Sequence, residues 1–130
     1  MELKNILYVE DEPDIQAVAR LALEMVGGFA VTICSSGEEA LAQFPVSKPD
    51  LILMDVMMPG MDGPTTLSHL RELPGAKLTP AIFMTAKVQP DEVAHYKSLG
   101  ALGVIAKPFD PMTLSETIRG IWNEYRQSAI

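Results

Sequence analysis

With 130 residues, the chain has room for one domain with a single sizeable core and not for two ordinary ones. Its residues are 48% hydrophobic and 21% charged, a balance that excludes disorder over most of the length. The formal charge of -7, with no run of Lys or Arg, leaves no footprint for nucleic acid or for an anionic membrane.

The start, "MELKNILYVED", lacks the basic and apolar regions of a signal peptide, and no apolar run approaches the roughly 18 residues of a membrane span. A cytoplasmic location is the expectation. "NILYV" (5–9) reads as a strand cut off by three acids. "DIQAVARLALEMV" (14–26) carries Ile15, Val18, Ala22 and Met25 at helical spacing, and Gly27-Gly28 ends it. "FAVTIC" (29–34) is a second strand holding the one cysteine, Cys34, which reads as a packed thiol. Ser36 and Glu39 have capping-box spacing for a helix over 36–44. "DLILM" (50–54) is a third strand, and Pro64 falls in the first turn of a helix over 63–73. "PAIFMT" (80–85) is a fourth strand, followed by a helix over 90–100 with Gly100 at its end. "GVIA" (103–106) is the fifth strand, 110–126 the last helix, and "QSAI" reads as a frayed end. Alternating strands and helices imply parallel βαβ units, hence one doubly wound α/β domain over 1–130 with its core at about 4–126.

Ligand sites of open parallel sheets lie at the carboxyl ends of the strands. There the first strand delivers Glu10, Asp11 and Glu12, the third Asp55, the fourth Thr85, and the fifth Lys107-Pro108. The second offers only Ser35 and Ser36, as an outer strand would. Each piece alone has an ordinary reading. Acids before a helix favour its N-terminus, an aspartate can cap a turn, a threonine suits a strand end, and a lysine suits the surface. Their convergence on one rim is the sharper signal. Crowded carboxylates call for a hard divalent cation such as Mg2+, and a carboxylate beside metal and ammonium can attack a phosphoryl group.

These motifs, "ILYVEDE" (6–12), "PDLILMDVMMPGMDG" (49–63), "MTA" (84–86) and "GVIAKPF" (103–109), resemble the receiver domain of two-component response regulators, from about Lys4 to about Arg126. The resemblance implies a (βα)5 flavodoxin-like fold with strand order 2-1-3-4-5. It also implies a regulatory rather than enzymatic role, in which the domain assists its own phosphorylation and dephosphorylation. Asp55 resembles the phosphoacceptor. Asp11 is similar to the direct Mg2+ ligand, with Glu10 beside it, Asp55 sharing the ion and Met57 giving its backbone carbonyl. Thr85 looks like the switch hydroxyl, Lys107 like the ammonium that pairs with the phosphoryl group, and the bond before Pro108 like a cis peptide. The partners implied are a sensor histidine kinase or phosphotransfer protein and a downstream protein or output domain, with no nucleic acid or membrane bound by this chain.

Two departures bear on switching. Glu10 stands where many relatives have Asp, and Val104 where many have an aromatic ring that swings inward, so that switch cannot operate here. Activation is then expected in the segment Ala86 to Pro90. The stretch Gly100 to Val104 also lacks the acids that make salt bridges in a common dimer mode. His69 and His95 read as helix residues away from the rim, and Met54, Met57, Met58 and Met61 as packing and turn filler. Two other classes fit less well. A dehalogenase-like phosphatase needs a general acid where Met57 stands, and a flavin module's phosphate would be repelled by Glu10 to Glu12.

Overall fold

The computed structural model describes residues 2–128. Five apolar segments become the strands β1 (Asn5–Val9), β2 (Ala30–Cys34), β3 (Leu51–Asp55), β4 (Ala81–Thr85) and β5 (Gly103–Ala106). They pair in parallel in the order β2-β1-β3-β4-β5, so the strand with only serines at its end does lie at an edge. Every residue of β3 and β4 is buried, which is why both read as unbroken apolar runs and not as alternating ones.

The helices are α1 (Pro13–Arg20), α2 (Gly37–Ser47), α3 (Gly63–Leu70), α4 (Pro90–Ser98) and α5 (Leu114–Ser128). On one face of the sheet Ile6, Tyr8, Leu53, Ile82, Met84 and Ile105 meet Leu23, Ile118 and Trp122 from the first and last helical segments. On the other, Leu7, Val9, Ile52, Met54 and Phe83 meet Ala40, Phe44, Leu67 and Leu70. Each face thus buries its own apolar layer, and the period-two alternation of β1 serves both.

Helix ends differ from the periodicity in four places, each with a local cause. The first helix does not stay α to residue 26: it passes into a π-helical segment, Leu21–Val26, where Gly27 N–H donates to the Ala22 carbonyl at 3.2 Å. Ser115 Oγ donates to that same carbonyl at 2.6 Å, and a Cβ on Gly27 would lie 2.2 Å from Ser115 Oγ, so only glycine lets α5 come this close. α2 runs past Pro45 to Ser47, because an exposed proline in a last turn forfeits one hydrogen bond while buried Phe44 keeps the turn anchored. α3 stops at Leu70, three residues early, because the N–H groups of Glu72 and Leu73 donate three residues back, to the carbonyls of His69 and Leu70, and tighten the chain into turns. α5 begins at Leu114 instead of 110, since Asp110 is spent on a turn: its carbonyl accepts from Thr113 and Leu114, and its Oδ1 from Met112 at 2.9 Å.

Capping expectations hold at Ser36, whose Oγ accepts from Glu39 N–H at 3.1 Å, and at Gly100, which follows α4 with φ of +104°. Asp50 lies just outside β3, and its carboxylate accepts from the N–H groups of Lys4 and Asn5, tying down the start of β1. Gln127 and Ser128 continue α5; Ala129 and Ile130, the rest of the expected frayed end, lie outside the described residues.

Candidate functional site

Parallel pairing aligns the strand ends, and backbone hydrogen bonds extend that alignment into the loops. Glu10 N–H donates to Cys34 carbonyl at 2.9 Å, Val56 N–H to Met84 carbonyl at 3.0 Å, and Lys107 N–H to Thr85 carbonyl at 3.0 Å. The functional side chains therefore leave from backbone already fixed by the sheet. Gly63 adds to this. A Cβ there would stand 2.4 Å from the Asp55 carbonyl oxygen, so the start of α3 can pack against the end of β3 only with glycine in place.

Glu10, Asp11 and Asp55 each offer a carboxylate oxygen within 4.8 Å of the others. Glu10 is completely buried, Asp55 is 4% exposed, and Asp11 is half-buried at the rim. Lys107 Nζ lies 2.9 Å from Glu10 Oε1 and 3.2 Å from Asp55 Oδ2. Glu10 Oε2 accepts from Glu12 N–H at 3.2 Å, and Tyr8 Oη donates to Glu10 Oε1 at 3.5 Å. Gln16 Nε2 braces the loop from behind, donating to the Glu10 carbonyl and to Ser35 Oγ.

Electrostatics follow from burial. Desolvation pushes the Asp55 carboxyl up to about 6, helped by the charge of Glu10 and opposed by Lys107. Burial works against the Lys107 ammonium, but its hydrogen bond to Glu10 and the charges of Asp55 and Glu10 outweigh that and hold it above the ordinary lysine range. Burial, with the Glu10 charge nearby, also raises Tyr8 well above an ordinary phenol. Three carboxylates gather here and one ammonium pairs with two of them, which leaves negative charge uncompensated; their all-oxygen donor set fits a hard divalent cation of the Mg2+ class.

Thr85 stands at the end of β4, next to β3, and is 2% exposed. Its hydroxyl accepts from Lys87 N–H at 3.1 Å, in the loop that follows β4. Met57 has an exposed side chain in the turn after β3. The peptide bond before Pro108 is cis. Met54 and Met58 are buried in the core, His95 is exposed, and His69 pairs with Glu72 at 3.8 Å on the surface of α3 and the turn after it. Asp62, the second acid of the 51–63 stretch, caps α3 by accepting from Thr65 N–H at 2.9 Å. Buried Cys34, its thiol pushed up to about 12 by burial, takes no part. Sequence reasoning missed Tyr8 and Gly63. The first was signalled by its place two residues before Glu10 on the same strand face, the second only by the three-dimensional approach of α3 to β3.

The match to known proteins agrees with this geometry. A family model described as the response regulator receiver domain covers residues 6–119. The transcriptional regulatory protein CseB of Streptomyces avermitilis is 34% identical over 95% of this chain and 51% of its own length. The alkaline phosphatase synthesis transcriptional regulatory protein PhoP of Bacillus subtilis is 36% identical over 91% of this chain and 48% of its own. The chain thus spans about half the length of these curated relatives. Among solved structures, chemotaxis response regulator CheY4 of Vibrio cholerae superposes with a TM-score of 0.84 at 31% identity, over 92% of this chain and 99% of that one. A rim of three carboxylates and one lysine on a 2-1-3-4-5 sheet, matched along nearly its whole length, places the chain in the response regulator receiver domain family of two-component systems.

Proposed function

We propose that Asp55 is the residue that accepts the phosphoryl group, from a sensor histidine kinase or phosphotransfer protein, and that residues 1–130 act as a single receiver. The observation that carries this reading is the shared lysine: Lys107 Nζ sits 3.2 Å from Asp55 Oδ2 while Glu10 and Asp11 stand within 4.8 Å of the same carboxylate. In the transfer, a carboxylate oxygen of Asp55 forms the new P–O bond as the donor's bond to phosphorus breaks. At neutral pH Asp55 is mostly ionised despite its raised pKa, so it is competent to attack. Lys107 neutralises charge on the phosphoryl oxygens, and Thr85 retains its hydroxyl proton for one of them once it leaves the Lys87 amide. Glu10, Asp11, Asp55 and the Met57 backbone carbonyl would hold Mg2+, which when bound offsets the negative charge gathered at the rim.

The response is read on the α4-β5-α5 surface, and the Thr85–Lys87 bond links the site to the exposed segment leading into α4. The donor has a separate seat. An apolar hollow of about 260 Å³ lined by Ile15, Val18, Pro108 and Phe109 opens beside Lys107, at the first helix. The output, a separate protein or a following domain, lies outside this chain, and no helix among the described residues is long and apolar enough to cross a membrane. Incubation with acetyl phosphate and Mg2+, followed by intact mass, tests the reading. One phosphoryl adduct is expected on the parent and none on Asp55→Asn; an adduct of equal size on both removes Asp55 from the role.

A further inference from the structure

Tyr8 has no exposed surface and heads the fully buried side chains in size, so its hydroxyl needs a partner inside the protein. Side chains two apart on a strand share a face, which points Tyr8 and Glu10 the same way from β1. The hydroxyl finds Glu10 Oε1 at 3.5 Å. That oxygen also takes the Lys107 ammonium at 2.9 Å, and Lys107 reaches on to Asp55 Oδ2 at 3.2 Å. Glu10 is the element that makes the chain continuous. An aspartate at position 10 would end one C–C bond sooner, about 1.5 Å, and the Tyr8 contact has no such slack.

The arrangement matters when Lys107 turns toward phosphoryl oxygens. Oε1 of a fully buried carboxylate then keeps a single side-chain donor, the Tyr8 hydroxyl. Without it, that oxygen would be left unpaired on a side chain with no exposed surface. We propose that Tyr8 is a positioning residue: its hydroxyl fixes the Glu10 carboxylate in the orientation the metal site uses, and holds it there when Lys107 leaves. The inference rests on the reading of Glu10, Asp11 and Asp55 as a Mg2+-assisted phosphoacceptor site.

A double-mutant cycle on the full chain tests it, with Mg2+ alone as probe and binding followed by NMR titration. Tyr8→Phe is expected to weaken Mg2+ binding by about threefold to tenfold, the worth of one modest hydrogen bond. In the Glu10→Asp background, where the carboxylate has withdrawn, the same change is expected to do nothing. A merely structural tyrosine would lower thermal stability equally in both backgrounds and leave Mg2+ affinity alone; that result, or an equal loss of affinity in both backgrounds, overturns the proposal. A second readout needs no change at residue 8. The Tyr8 ring signals should shift when Glu10→Asp is introduced, and again when Mg2+ is added to the parent; signals unmoved by either change also overturn it. If the cycle shows coupling on Mg2+ binding but Asp55 takes no phosphoryl group in any variant, it is the phosphoacceptor reading that has failed, and the role of Tyr8 toward Glu10 stands.

Discussion

The two helices flanking β5 are anchored to very different degrees. α5 buries Leu114, Ser115, Ile118 and Trp122, and it is bonded across to the first helical segment through Ser115 and through Arg119, which donates to the Gly27 carbonyl at 2.6 Å. α4 buries no residue; Tyr96, half-buried, packs on the sheet with its ring set edge-on to Phe83, ring centroids 5.5 Å apart. Lys107 lies on the segment that feeds α5, Thr85 on the one that feeds α4. On the function proposed above, the group that serves the chemistry is thus attached to the well-anchored neighbour, and the group that signals is attached to the loose one. Local stability differs across a structure in this way wherever apolar contacts thin out.

The strongest way to break this contrast is to remove the two rim groups in turn. Lys107→Ala takes away the donor shared by two buried carboxylates, and phosphorylation by acetyl phosphate should slow by about 100-fold or more. Thr85→Ala should keep the rate within about tenfold, the scale of one lost hydrogen bond, yet abolish the change in α4 hydrogen exchange on phosphorylation. Equal losses of rate from both variants would mean that the rim does not divide into a chemical and a responsive side.

The anchors themselves can be tested by stability. Trp122→Ala should cost about 3–5 kcal/mol in urea denaturation, as large aromatic truncations do. Tyr96→Ala should cost about half of that, since its ring is only partly buried against the core. Comparable costs would show that α4 is bound more tightly than its burial implies.

Much of this frame can be read in the residues, and the unread part has a common cause. The ends of β1 and β5 fall where "NILYV" and "GVIA" stop, because acids and Lys-Pro punctuate apolar runs that only a sheet can bury. Glu10, Asp11, Asp55 and Lys107 converge because parallel strands put their carboxyl ends on one rim, so the site follows from the order of the elements. What periodicity could not show depends on contacts between distant segments. The π-helical turn at Leu21–Val26 answers to Ser115, the need for Gly63 to the close passage of α3 over β3, and the orientation of Thr85 to a loop amide. The partnership of Tyr8 with Glu10 lies between the two cases. The spacing is local, but its value depends on Lys107 arriving from the far end of the chain.

Asp55 gives a smaller effect, on stability. Its folded pKa of about 6 stands above the ordinary 3.8, so the folded state holds the extra proton. Its contribution is therefore fully present below about pH 4 and is lost as pH rises through 6. In Mg2+-free buffer at pH 7, Asp55→Asn should then stabilise the protein by about 1–3 kcal/mol, and the gain should fade toward pH 4. Adding Mg2+ should raise the melting temperature of the parent and leave that of Asp55→Asn nearly unchanged. A variant that is less stable than the parent at pH 7 would show that the Lys107 pair outweighs desolvation.

The smallest expected effect sharpens the comparison most. Val104 is half-buried on β5 and borders a groove of about 300 Å³ along the sheet edge, with Ala106, Phe109, Thr113 and Thr117. An aromatic ring introduced by Val104→Phe has space in that groove, and unfolding free energy should move by no more than about 1 kcal/mol, the scale of a partly exposed apolar gain. On the proposed function, and with a small side chain here, the route from Thr85 runs through the Lys87 amide and the 86–90 segment into a helix that buries no residue. Val104→Phe should accordingly leave the phosphorylation-dependent change in α4 exchange within about twofold of the parent, since the weak anchoring of α4, and not a ring at 104, sets its size. If the ring instead creates a response that the parent lacks, loose attachment alone does not suffice to make α4 the reporting helix, and the side chain at 104 limits what the site can transmit.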